Sequence, residues 1–295
     1  MALGGLAVSL LGGCSGLRLI DAVTPSAGYT LAAGLAYGPS QRHLLDIYAP
    51  LAGGAAGPPP VVLFLYGGSW RNGARAQYRF VGAWLARAGF VAAVADYRLF
   101  PEVRFPGFVE DCAAALAFLG RHAGQHGGDP GRLFLMGHSA GAHMAMLLAI
   151  EPAYLVGAGA DPDRLAGVVG ISGPDDHDFG TVRWLADVFP DDWSRRAARV
   201  ADRARSGTPP VFLANGMADS LVPARNAVVM AERLRQKGNP VALRLYDGAG
   251  HGDILLGFVP ALAGASTLGQ DVAGFLKQAA MAKSEGAPGS LRTPL

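Results

Sequence analysis

Leu133-Phe134-Leu135-Met136 is a short apolar run that enters Gly137-His138-Ser139-Ala140-Gly141, and an apolar helical pattern from Ala140 to Ile150 follows at once. A G-x-S-x-G pentapeptide means little by itself in a chain with 42 glycines. Between a buried strand and a helix it means much more, because the sharp turn strains the serine backbone and lifts the hydroxyl clear of the sheet. Glycine is needed on both sides, since a Cβ there would clash where the helix crosses the strand. The backbone N–H of Ala140 then opens a helix, where positive partial charge collects.

Working outward from this stretch, strands and helices alternate. Leu44 to Ala49 is a short strand ending at Pro50, and the Gly/Ala/Pro stretch at 52–60 is loop. Apolar runs recur at Val61–Leu65, Phe90–Ala95, Gly167–Ile171 and Val211–Ala214, with an alternating run at Val241–Tyr246. Continuous apolar runs suit parallel strands buried on both faces. Helical spacing fills the gaps at Ala74–Ala88, Phe108–His122, Ala224–Lys237 and Thr267–Ala282. The expectation is an α/β fold with a mostly parallel sheet of about eight strands and helices on both faces. Residues 173–207 break this rhythm and read as a lid insertion over the active edge of the sheet, and residues 283–295 read as a disordered tail. With 295 residues, 51% hydrophobic, 16% charged and a net charge of +2, the chain is neither disordered in general nor a nucleic-acid binder by charge. Two cysteines exclude a disulfide framework, and no Cys/His spacing suggests a metal site.

A nucleophilic serine needs a base, a carboxylate to orient that base, and donors for the oxyanion. Val61–Leu65 exits into Tyr66-Gly67-Gly68-Ser69-Trp70, where adjacent glycines let N–H groups turn toward one point. Of seven histidines only His177 and His251 follow the Ser139 turn and its helix. The order nucleophile, acid, histidine selects His251, in the loop Gly248–Gly252 after the last strand. His177 sits in the insertion with no carboxylate-bearing strand before it. Asp219 lies on the loop that leaves Val211–Ala214 and is the expected acid; Asp247 and Asp253 are too near His251 in sequence to reach its Nδ1. Asp96, Arg98 and Asp111 read as a structural ion pair, and Cys112 as a small buried hydrophobe. Trp70, Phe179, Trp184 and Leu221 are the expected walls of a substrate pocket.

Tyr-Gly-Gly-Ser-Trp at 66–70, Asp96-Tyr97-Arg98 with Pro101, Gly127-Gly128-Asp129-Pro130 and Met136–His143 together resemble the α/β-hydrolase superfamily over residues 28–282. More narrowly they resemble bacterial carboxylesterases related to the hormone-sensitive-lipase group and isoprenylcysteine methylesterases. The 66–70 loop is similar to the His-Gly-Gly-Gly motif of lipases, with Tyr66 in the histidine place and Ser69 in the third glycine place. That match implies oxyanion donors from the N–H groups of Gly68, Ser69 and Ala140. The resemblance implies hydrolysis of a small-molecule carboxylic ester through Ser139, His251 and Asp219 and an acyl-enzyme, with no cofactor and no metal. Kynurenine formamidases share a similar loop, which leaves amide hydrolysis as an alternative; a non-catalytic binding protein of the same fold is another, from a different class.

At the amino end, Leu3–Leu11 is apolar but too short to span a membrane. It runs into Leu11-Gly12-Gly13-Cys14, which resembles the lipobox of bacterial lipoproteins. The expectation is a signal peptide at 1–13, a lipid anchor at Cys14, and a periplasmic or lipid-anchored placement at the cell envelope, with a cytoplasmic protein as the alternative.

Overall fold

The computed structural model describes residues 20, 24–51, 57–262 and 266–286. The expected signal peptide and Cys14 lie outside the described residues, as do residues 287–295 of the expected tail. Eight strands form one sheet in the order β1-β2-β4-β3-β5-β6-β7-β8. They are β1 (Tyr29–Ala36), β2 (Leu44–Pro50), β3 (Pro60–Leu65), β4 (Val91–Ala95), β5 (Asp129–His138), β6 (Leu165–Ile171), β7 (Val211–Gly216) and β8 (Val241–Tyr246). β1 and β2 are antiparallel to their neighbours, and from β4 to β8 every pair is parallel.

The apolar runs lie where two covering layers require them: β3, β4 and β6 are buried almost throughout. Their register aligns Leu65 with Gly137 and His138 with Ile171, so β3, β5 and β6 end together at one edge. β1 lacks such a run. It is an edge strand, mostly open to solvent, whose Ala- and Gly-rich sequence carries little alternation. That is why the sequence gives no sign of it.

Among the described residues seven α-helices flank the sheet: α1 (Arg79–Arg87), α2 (Gly107–His122), α3 (Ala140–Ile150), α4 (Ala153–Gly157), α5 (Asp192–Ala198), α6 (Arg225–Gln236) and α7 (Leu268–Ser284). α1 and α7 cover one face, joined through the 3-10 turn Asp253–Phe258, whose Phe258 ring meets Trp84 of α1 edge-on at 5.3 Å. α2, α3 and α6 cover the other. α3 is buried along its whole length, as its unbroken apolar sequence demands. α7 carries regular structure through Ser284, so the first two residues of the expected disordered tail are helical instead. Among the described residues no helix is long and apolar enough to cross a membrane.

The segment 173–207, expected as a lid insertion, is structured. α5 opens on a capping box, in which the Asp191 carboxylate accepts from the Ser194 N–H at 2.7 Å while the Ser194 hydroxyl accepts from the Asp191 N–H at 3.1 Å. Phe179 and Phe189 are buried, with ring centroids 4.3 Å apart and planes tilted by 35°, while Trp184 and Trp193 are about half exposed. The two buried rings pack against Trp70 and His143 outside the segment, while the two tryptophans stand at its surface.

Candidate active site

Ser139 sits between β5 and α3 with φ 55° and ψ −122°, a left-handed conformation that non-glycine residues rarely hold. Such a backbone costs on the order of 1–3 kcal/mol and persists only where its surroundings fix it. Here the Ser139 N–H donates to the Ile171 carbonyl at 2.8 Å. The glycines of the motif do what the turn requires. A Cβ on Gly141 would stand 1.9 Å from the Leu65 carbonyl oxygen, and one on Gly137 would stand 2.2 Å from the Gly141 oxygen.

Ser139 Oγ lies 2.9 Å from His251 Nε2, and His251 Nδ1 lies 2.8 Å from Asp219 Oδ2. Residues 112 and 32 positions apart in sequence thus form one chain of hydrogen bonds. The other Asp219 oxygen accepts from the N–H groups of Leu221 at 3.0 Å and Val222 at 2.8 Å. Burial pushes the Asp219 carboxyl up, but the His251 ring and the Val222 N–H outweigh it and hold it below the usual carboxylate range. It is therefore ionised at neutral pH.

His138, the variable residue of the pentapeptide, acts as a hydrogen-bonding residue beside the site. Its Nε2–H donates to the His251 carbonyl at 2.8 Å and so fixes the loop that carries His251. Burial, reinforced by the neighbouring His251, lowers its pKa to about 3, so the ring is neutral. His143 ties α3 to the insertion in the same way. Its Nε2–H donates to the Ala198 carbonyl at 2.7 Å, and burial lowers its pKa to about 4.

The loop after β3 turns through positive φ at Gly68 (132°), Ser69 (55°) and Trp70 (58°). A Cβ on Gly68 would stand 2.1 Å from the Asn72 oxygen, so only glycine fits there. Ala140 is the first residue of α3, and its N–H has no acceptor within the helix. Tyr66 braces this loop from behind. The Tyr66 hydroxyl donates to Asp96 Oδ1 at 2.8 Å and accepts from Arg42 at 2.8 Å, while Tyr97 donates to the Tyr66 carbonyl at 2.8 Å. Burial and Asp96 raise the Tyr66 pKa, so the phenol keeps its proton. Asp96 is bound further by the Arg75 N–H and guanidinium. Asp96 and Arg98, grouped in the sequence reading, belong to separate clusters: Arg98 forks onto Asp111, which also meets His43 at 3.0 Å. Tyr66→Phe is expected to cost about 1–2 kcal/mol in chemical denaturation, because it strips Asp96 and Arg42 of one partner each. An unchanged denaturation midpoint would rule out this bracing.

A cavity of about 160 Å³ opens beside Ser139. Trp70, Phe179, Trp184 and Leu221 all line it, together with Ser69 and Ala140. His177, set aside as a base on sequence grounds, is also on its wall. Cys112 is buried in α2, where burial pushes its thiol up. Among the described residues no group of three or more His, Cys, Asp or Glu gathers as a metal site would need.

Residues 45–176 match the family model described as BD-FAE. A probable isoprenylcysteine alpha-carbonyl methylesterase of Oryza sativa subsp. japonica is 31% identical over 242 residues, covering 75% of this chain and 56% of the relative. Esterase LipC of Mycobacterium tuberculosis is 30% identical over 241 residues, covering 75% of this chain and 59% of the relative. The chain thus spans somewhat more than half the length of the curated relatives it matches. Among solved structures, esterase B of Lactobacillus rhamnosis superposes with a TM-score of 0.76 at 18% identity, over 91% of this chain and 94% of the other. Esterase 2 of Thermogutta terrifontis superposes with a TM-score of 0.67 at 24% identity, over 86% of this chain and 95% of the other. The protein has the α/β-hydrolase fold. Within that fold it is homologous to isoprenylcysteine methylesterases and mycobacterial esterases.

Proposed function

We propose that the protein is a serine hydrolase of carboxylic esters that works through an acyl-enzyme. The observation that carries this reading is the Ser139–His251–Asp219 chain at 2.9 and 2.8 Å, set beside the free N–H of a helix start. The esterase homologues support the same reaction class. His251 Nε2 takes the Ser139 proton as Oγ attacks the ester carbonyl. The carbonyl oxygen gains its negative charge against the N–H groups of Gly68, Ser69 and Ala140. Fixed donors of this kind contribute roughly 3–4 kcal/mol each when removed singly. The imidazolium, held by ionised Asp219, returns the proton to the departing alkoxide. Water enters in its place, is deprotonated by His251, and releases the acid from Ser139.

The same site could cleave an amide, and the choice is an assay. Hydrolysis of p-nitrophenyl butyrate is expected with a kcat/KM at least tenfold above that for N-formylkynurenine. A preference for the formamide would replace the esterase reading with an arylformamidase.

A further inference from the structure

The cavity beside Ser139 has a direction. His251 must protonate the leaving alcohol, so the alcohol departs on the His251 side. The cavity is lined by the oxyanion loop, the Ala140 end of α3, the insertion and the 221–222 turn, and His251 is not among its walls. Resting on the ester-hydrolase reading above, this makes it the room for the acyl group. Its volume of about 160 Å³ is small against the ~300–1,000 Å³ of ordinary ligand pockets, which suits a short acyl chain.

The wall is apolar on most sides, with Trp70, Phe179, Trp184 and Leu221, and His177 interrupts it. The His177 ring stands edge-on to Phe179 at 5.3 Å, and no described residue gives its nitrogens a hydrogen bond. The backbone around it is fixed: its N–H donates to the Pro174 carbonyl at 3.2 Å, and the preceding Asp176 is held by Arg199 and Arg225 at 3.1 Å each. Burial lowers the His177 pKa against the opposing pull of Asp178 and Asp176, so the ring is neutral, with one donor and one acceptor nitrogen. In the free enzyme water can serve those nitrogens. A purely hydrocarbon acyl chain drives that water out and returns nothing, which leaves a desolvated polar group unpaired.

We propose that His177 sets acyl specificity, making this enzyme selective for a short acyl chain that carries a hydroxyl or carbonyl group over a plain alkyl chain of the same length. A site built to hydrogen-bond its substrate rejects the analogue that lacks the group, because its own polar atom is then stranded.

The test compares ethyl butyrate with ethyl (R)- and (S)-3-hydroxybutyrate in a pH-stat, using the full chain, His177→Phe and His177→Gln, each titrated for active sites with a fluorophosphonate. The expected result is a kcat/KM about tenfold higher for one hydroxy ester than for ethyl butyrate. His177→Phe is expected to bring that ratio to one or below, and His177→Gln, which keeps a donor and an acceptor, to retain part of it. A ratio near one in the unaltered enzyme, or a ratio that survives His177→Phe, overturns the inference while normal probe labelling leaves the hydrolase reading standing. Turnover of none of the esters together with no labelling overturns both.

Discussion

Ser139→Ala is expected to abolish labelling by a fluorophosphonate probe and to lower kcat on p-nitrophenyl butyrate by roughly four to six orders of magnitude. The size follows from what the residue does in the proposed mechanism. Without Oγ no acyl-enzyme can form, so the oxyanion donors and the binding surface are left to assist direct attack by water. The fold should survive, because the turn is held by groups the substitution leaves alone: the Ser139 N–H bond to Ile171 and the glycines packed at Leu65 and Gly141. Alanine at φ 55° carries the same backbone strain as serine, so the thermal midpoint should move by no more than a few degrees. Probe labelling that persists in a folded Ser139→Ala protein would reject Ser139 as the nucleophile.

The legibility of this chain in its sequence follows the range of the forces involved. The β5–turn–α3 unit could be read because its rule is local: a buried strand, a Cβ-free crossing and an apolar helix occupy consecutive residues. Asp219 and His251 could be placed because each follows a strand with its own apolar signal, and the sheet order then brings those strand ends to one edge. The partners that brace the loop after β3 could not be read. Arg42, Tyr66, Arg75 and Asp96 come from three separated stretches, and single charged residues carry no pattern that names their partners. Arg98 and Asp96 are two residues apart, a spacing that puts both on one face of a regular strand, yet they meet different clusters, because β4 ends at Ala95 and the chain beyond it is irregular. His138 shows the limit most clearly. It stands inside the motif that decides the fold, but its function depends on where a loop 113 residues later comes to rest.

Asp219→Asn is expected to lower kcat by about three to four orders of magnitude while slowing, rather than abolishing, probe labelling of Ser139. The direction can be derived from the hydrogen bonds. Two backbone N–H groups, from Leu221 and Val222, point at Asp219 Oδ1. In the amide, the oxygen must take that position, since an NH2 group there would face two donors. The amide nitrogen is then left in the place of Oδ2, directed at His251 Nδ1 across the 2.8 Å contact. A donor facing Nδ1 makes that nitrogen the acceptor and moves the ring proton to Nε2. The His251 nitrogen beside Ser139 Oγ then carries a proton already and cannot accept another. Asparagine thus does more than remove a charge: it selects the imidazole tautomer that cannot act as base. Asp219→Ala leaves Nδ1 without that imposed donor, so its kcat is expected to be no lower than that of Asp219→Asn despite the larger loss of side chain. Because the Asp219 carboxyl is held below the usual carboxylate range, its contribution is present at neutral pH and lost only as acid protonates it. The two variants should therefore be compared between pH 7 and 8, where an Asp219→Asn enzyme with near-normal kcat would exclude Asp219 as the residue that orients His251.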